Sequence, residues 1–136
     1  MDIAKIMQIS ASGMQAQSLR LRTIAENIAN SESLAEGPGG SPFRRKIVTF
    51  KNVFDKTIGA NKVNVDKVST DKSEFTKRFD PQHPAADKDG YVLLPNVNPL
   101  VEMMDMRQAQ RSYEANLGVI DVTRSMIGRT IALLNG

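Results

Sequence analysis

The C-terminal stretch from Asn98 to Gly136 reads NPLVEMMDMRQAQRSYEANLGVIDVTRSMIGRTIALLNG, and it decides the fold class. Large side chains recur every seven residues along it, at Met106, Tyr113, Ile120, Ile127 and Leu134. Such a repeat is typical of a long helix that packs against another helix, as in a coiled coil. Asn98 and Pro99 provide an N-cap and a first helical residue, because Pro lacks the amide hydrogen that would go unused there. From Pro99 to Leu134 this helix would be about 55 Å long.

A second seven-residue repeat runs through the N-terminal segment. Its members are Met7, Met14, Leu21 and Ile28, each preceded four positions earlier by Ile3, Ser10, Gln17 and Ile24. The two repeats predict a coiled-coil-like pair formed by the two ends of the chain. Because two helices alone leave apolar surface uncovered, we expect the ends to assemble with copies of the chain or with related chains.

The middle of the chain has a different composition. All six prolines and six of the seven aromatic residues lie between residues 38 and 99. Proline is excluded from helix interiors and aromatic residues favour strands. We therefore predict short strands in a small or irregular sheet, at residues 43–54, 63–65 and 91–93. The fold class expected is mainly α with a small β middle region, divided into a helical segment 1–36, a loop-rich middle domain 37–97 and a long helix 98–136.

Composition argues against an enzyme. The chain has 136 residues, no cysteine and a single histidine, His83. Neither a thiolate metal site nor a site with several histidines can be built within one chain. Residues 37–40 are rich in glycine but lack the Lys and Ser/Thr that follow a phosphate-binding loop. The sequence predicts no catalytic residue, no metal site and no cofactor.

The net charge of +3 raises the alternative of a basic, helical, oligomeric nucleic-acid-binding protein, which would bind DNA with a steep salt dependence. Only Arg44, Arg45 and Lys46 form a basic run, however, and the other charges do not cluster. Three basic residues before a strand are more typical of a solvated edge that discourages unwanted strand pairing.

No targeting segment or membrane span is predicted. The N-terminus, Met1-Asp2-Ile3-Ala4-Lys5, lacks the basic region and apolar stretch of a Sec-type signal peptide. No run approaches the roughly 18 apolar residues that a transmembrane helix needs.

Several motifs carry a resemblance to a known family. Residues 12–17 (SGMQAQ), 24–30 (IAENIAN) and 39–46 (GGSPFRRK) resemble the axial rod and hook proteins of the bacterial flagellum. Residues 80–84 (DPQHP), 89–92 (DGYV), 95–98 (PNVN) and 102–116, from EMMDM to RSYEAN, are similar to one branch, the rod proteins of the proximal basal body. Two details depart from the family: residues 30–36 lack its usual threonines, and Ser41 interrupts its Gly-Gly-Pro motif.

The resemblance implies a non-enzymatic structural subunit of the proximal rod, the drive shaft that transmits torque from the membrane ring to the hook. It implies polymerisation with copies of the same chain and other rod proteins, and contact with a ring–rod junction protein. It also implies passage through the flagellar type III export apparatus into the periplasm, without a cleaved signal peptide. Neither nucleic acid binding nor direct membrane insertion is expected.

The repeats and the resemblance together select the residues expected at subunit interfaces. Asn27 and Asn30 are expected to form hydrogen bonds near the end of the first helix. For the C-terminal repeat, the partner is either the chain's own N-terminal helix or another subunit. The complete expected set is Met7, Met14, Leu21, Ile24, Asn27, Ile28, Asn30, Met106, Tyr113, Asn116, Leu117, Ile120, Ile127, Ile131 and Leu134.

Overall fold

The computed structural model describes residues 2–136, which form two long helices and two separate two-stranded antiparallel sheets. The predicted class, two terminal helices around a small β region, is confirmed. Within this part of the chain, neither helix is long and apolar enough to cross a membrane. The elements in chain order are α1 (Ile3–Ala29), β1 (Lys46–Asp55), β2 (Ala60–Thr70), β3 (Thr76–Phe79), β4 (Tyr91–Leu94) and α2 (Pro99–Asn135).

Both helices begin at capping residues that accept a hydrogen bond from the first turn. The Asn98 side chain accepts from the amide of Leu100 at 3.1 Å, and Pro99 is the first residue of α2. At α1, Asp2 accepts from the amide of Ala4 at 3.0 Å. The predicted start of the C-terminal helix is therefore confirmed, and its 37 residues correspond to about 55 Å.

The two helices pack against each other in antiparallel orientation. Asn27 contacts Glu102, Arg20 contacts Gln108, and Gly13 lies against Asn116. The three α1 residues are seven positions apart, as expected for one face of a helix that packs along another. Ile3, ten residues before Gly13, is then level with Met126 of α2. The helix α2 continues about nine residues further, to Asn135.

A long hairpin, β1 with β2, lies along α1. Its strands pair from Lys46 and Thr70 at the base to Asp55 and Ala60 at the turn, with a bulge between Thr49 and Phe50. The turn uses Gly59 at φ +64°, and its tip comes close to the Lys5 ammonium of α1. The strand predicted at 43–54 is found as the 10 residues of β1, whereas the strand predicted at 63–65 is part of the 11 residues of β2.

The second hairpin, β3 with β4, is short. It pairs Thr76 with Leu94 and Phe79 with Tyr91, whose rings pack edge to face with centroids 5.3 Å apart. The prediction found β4 but missed β3, since all four β3 residues are exposed and show no apolar alternation. The predicted single sheet is thus two sheets, which share no strand.

Candidate assembly surface and its polar clasp

The first turn of α2 buries a charged side chain. Glu102 is 0% exposed, and its Oε2 accepts a hydrogen bond from Asn27 Nδ2 of α1 at 3.2 Å. Its Oε1 accepts from Nε of Arg45, the residue before β1. Since a buried carboxylate is tolerated only when it is paired and hydrogen-bonded, these contacts make Glu102 compatible with the interior. We call Asn27, Arg45 and Glu102 the polar clasp, because it joins α1, β1 and α2.

Arg45 connects the clasp to further acidic groups. Its guanidinium lies 3.5 Å from the carboxylate of Asp71 and 3.4 Å from that of Asp105. Its backbone amide donates to Asn96 Oδ1 at 2.7 Å. Burial tends to lower the pKa of Arg45, but its hydrogen bonds to Glu102 and Asp71 outweigh that effect and raise the pKa above its ordinary value. The planar, permanently charged guanidinium can serve several carboxylates at once.

Asn27 ties α1 to the first residue of the long hairpin. It is 1% exposed; its Oδ1 accepts from the amide of Lys46 at 2.9 Å, and its Nδ2 donates to the Lys46 carbonyl at 2.9 Å. At the end of α1, Asn30 Nδ2 donates to the carbonyl of Glu26 at 2.9 Å, and Asn30 Oδ1 accepts from the Ser33 hydroxyl at 3.0 Å. The hydrogen bonds predicted for Asn27 and Asn30 are confirmed, and they lie within the chain.

Asp71 follows β2 and contacts Arg45 of the polar clasp. Its carboxylate accepts from the backbone amide of Ser73 at 2.8 Å. The hydrogen bonds from the Ser73 amide and hydroxyl, followed by those from Arg45, lower the pKa of Asp71 below its ordinary value. Asn96 holds the same loop by donating to the carbonyl of Asp71 at 3.0 Å.

All three residues of the basic run are engaged within the chain. Arg44 donates to the carbonyls of Asp71 and Ser73 and lies 4.2 Å from the centre of the Phe75 ring. Arg45 belongs to the clasp, and Lys46 pairs with Glu26. Their interpretation as a solvated edge is therefore wrong, because Arg45 and Lys46 pair with acidic residues from distant parts of the chain and Arg44 bonds to backbone carbonyls. The nucleic-acid alternative, which the net charge raised, gains no support from this basic run.

The expected interface residues fall into three classes. Ile24 and Asn27 are buried within this chain. Leu117, Ile131 and Leu134 are exposed. The remainder are half-buried along or beside the contact between the helices: Met7, Met14, Leu21, Ile28, Asn30, Met106, Tyr113, Asn116, Ile120 and Ile127.

The face of α2 that meets α1 contains the predicted C-terminal repeat. Ala109 and Thr123 are buried there, and the half-buried Tyr113, Ile120 and Ile127 lie at three- and four-residue spacings from them. The partner of most of the C-terminal repeat is thus the chain's own α1. Leu134 differs, because it lies beyond the start of α1 and is 81% exposed.

A second apolar stripe on α2 has no partner within residues 2–136. We define it as Val119, Val122, Met126 and Leu133, of which Val122 is 60% and Leu133 is 83% exposed. At 100° per residue it is turned roughly 100° around the helix from the face that meets α1. The sequence pattern contained this signal in the three- and four-residue spacing of Val119, Val122 and Met126.

A groove of about 630 Å³ is lined by residues of α1 and β2 and by Tyr113 of α2. Arg22 and Tyr113 are the only ionisable side chains in its lining. General acid–base catalysis needs a positioned acid or base with a suitable pKa, usually His, Asp or Glu. The groove lining contains none of these three residue types, and we assign it no chemistry.

Two family models match the two ends of the chain. Residues 7–32 match the family model described as "Flagella basal body rod protein", and residues 88–133 match "Flagellar basal body rod FlgEFG protein C-terminal". The flagellar basal-body rod protein FlgC of Agrobacterium fabrum is 50% identical over 127 residues, which are 93% of this chain and 91% of the relative. The chain belongs to the FlgC family. Other FlgC proteins are 43% identical in Aquifex aeolicus, covering 96% of both chains, and 37% identical in Salmonella typhimurium, covering 98% of both.

Proposed function

We propose that this chain is a structural subunit of the proximal rod of the flagellar basal body and has no enzymatic activity. Its membership of the FlgC family over nearly the whole chain carries the proposal. As part of a drive shaft between the membrane ring and the hook, it transmits torque through many helix contacts loaded together. Such a role requires surfaces for neighbouring subunits but no catalytic site.

The surface proposed for these neighbours is the part of α2 that α1 leaves uncovered. The second stripe and the projecting end of α2, with Ile131 and Leu134, expose large apolar side chains. Burying apolar surface is the main favourable contribution to most protein association. The neighbours are copies of this chain, other rod proteins and a ring–rod junction protein. Within the subunit, α1 and α2 form a coiled-coil-like pair.

The three-segment division of the chain gives these surfaces a place in the rod. Segments 1–36 and 98–136 form inner helical layers, and segment 37–97 lies further out and makes lateral contacts. The chain reaches this position in the periplasm through the flagellar type III export apparatus, as an unfolded polypeptide without a cleaved signal peptide. A chain without cysteine needs no disulfide chemistry after export.

Two charge substitutions within one turn of α2, on different faces, test the assembly surface. Val122→Asp places a carboxylate in the second stripe, where the free subunit is solvated. We expect the unfolding free energy to change by no more than about 0.5 kcal/mol. Rods should nevertheless fail to form, because assembly would bury an unpaired charge.

Ile120→Asp is the matched control, since Ile120 is half-buried on the face that meets α1. It should destabilise the free subunit by roughly 2–4 kcal/mol. Thermal unfolding of the purified chains and electron microscopy of basal bodies from complemented cells give the two readouts. Normal rods with Val122→Asp would contradict the assignment of the second stripe to subunit contacts.

A further inference from the structure

Both the large and the small side chains at the contact between α1 and α2 repeat every seven residues, so apolar packing alone does not fix the helices lengthwise. Ser10 on α1 is buried, and so are Ala109 and Thr123 on α2. Gly13 packs against Asn116. On α2 the contact positions Glu102, Ala109, Asn116 and Thr123 repeat every seven residues. A displacement of α1 by seven residues, or about 10.5 Å, would again place small or short polar side chains opposite one another.

The polar clasp is the buried polar part of this contact that a displacement would not preserve. Glu102 is 0% exposed and takes its hydrogen bonds from Asn27 on α1 and Arg45 before β1. Displacing α1 by seven residues would carry Asn27 about 10.5 Å away. Glu102 would lose that partner while it remained at the helix contact. A buried charge that loses partners is strongly disfavoured, and a single buried polar contact is a known means of fixing helix register.

The chain connection alone does not impose the register. Residues 30–45 separate α1 from β1 and contain no helix or strand, so this segment has the length to follow a displaced α1. The end of α1 is held to β1 by the hydrogen bonds of the Asn27 side chain with the Lys46 backbone and by the ion pair of Lys46 with Glu26.

We infer that the polar clasp of Asn27, Arg45 and Glu102 sets the axial register of α1 against α2. The same register determines how far the apolar end of α2 projects beyond α1. Register in the free subunit does not depend on the proposed function. The consequence of this register for assembly is that α2 presents a fixed length of projecting helix to the next subunit. This consequence rests on the proposed function.

Disulfide trapping in the full chain tests the inference, because the chain has no cysteine of its own. The pair Gly13→Cys with Asn116→Cys reports the observed register, since a Cβ on Gly13 would lie 3.1 Å from Asn116 Cγ. Two pairs report displaced registers: Gly13→Cys with Ala109→Cys, and Gly13→Cys with Thr123→Cys, each with Asn116→Ala to make room. In the observed register these cysteines are about 10.5 Å apart along the axis, too far for a disulfide.

The clasp is removed by Arg45→Met with Glu102→Leu, which replaces the ion pair by apolar side chains. Such replacements often preserve folding. In chains with the clasp unaltered, we expect Gly13→Cys with Asn116→Cys to form a disulfide. The two displaced pairs should remain reduced. In the altered clasp, cross-linking of at least one displaced pair should rise about tenfold or more.

The matched control is Lys51→Met with Asp66→Leu, an exposed ion pair on the long hairpin, which should leave the cross-linking pattern unchanged. Circular dichroism confirms helix content in each chain. If the double variant does not fold, Glu102→Gln keeps the side-chain shape without the charge and should still raise displaced cross-links. Cross-linking of only the observed pair in every folded clasp variant would overturn the inference.

Discussion

At the scale of single residues, the polar clasp shows what the sequence could and could not reveal. Glu102 occurs in a motif that pointed to the family, but its burial was not foreseen. Its partners Asn27 and Arg45 lie 75 and 57 positions away in the chain, so no local pattern contains the contact. The hydrogen bonds expected of Asn27 near the helix end are present within the chain, as is typical of an asparagine side chain that bonds to the backbone, and its place at a subunit interface stays a prediction.

Asp71 gives a prediction about pH. Its pKa is lowered in the folded chain by the amide and hydroxyl of Ser73 and by Arg45, so the unfolded chain binds more protons in acid. The stability that these contacts contribute is fully present above the unfolded value of about 3.9. It is lost as the pH falls through the lower, folded pKa. Asp55, whose pKa is lowered by Lys62 and Thr57, acts in the same direction.

We expect Asp71→Asn to cost about 1 kcal/mol at pH 7 and to have a much smaller effect at pH 2. Chemical denaturation at the two pH values measures both. Asp66→Asn, at the exposed ion pair with Lys51, is the control and should change stability by less than about 0.5 kcal/mol. An equal loss from Asp71→Asn at both pH values would show that its ionisation makes no contribution.

At the scale of elements, the helices were predictable and the sheets only partly so. Seven-residue repeats and the Asn98-Pro99 cap specify α2 locally, because helix periodicity and capping are properties of neighbouring residues. Both strands of the first hairpin contact α1, and this tertiary contact is not contained in any local pattern. The exposed β3 offers no apolar pattern and exists through its pairing with β4.

The helix glycines differ in a way that predicts opposite tolerance to substitution. A Cβ on Gly118 meets no atom within 4 Å, whereas a Cβ on Gly13 would lie 2.8 Å from Asn116 Nδ2. Gly118→Ala should stabilise the free subunit by about 0.5–1 kcal/mol, since alanine is the better helix former. Gly13→Ala should gain less, because the Asn116 amide must move.

The combination with Asn116→Ala separates these two effects. In that background Gly13→Ala should stabilise about as much as Gly118→Ala does, and thermal unfolding of the single and double variants gives the coupling energy. Equal gains from Gly13→Ala with and without Asn116 would show that the close approach at Gly13 carries no cost.

At the scale of the whole molecule, α2 has two apolar faces. One face packs on α1, and the second stripe continues onto an end that projects beyond α1. The sequence analysis left open whether the C-terminal repeat met its own chain or another subunit. The structure divides it: most members meet α1, and Leu134 at the end does not. That division required the antiparallel register, which is set by contacts between distant residues.

Electron microscopy of basal bodies purified from cells that lack this chain tests its assignment to the rod most directly. We predict membrane rings without a completed rod or hook, and restoration of both by the unaltered chain. The clasp and stripe variants can then be compared against the same complemented cells. Intact rods and hooks in the absence of the chain would contradict its proposed role as a rod subunit.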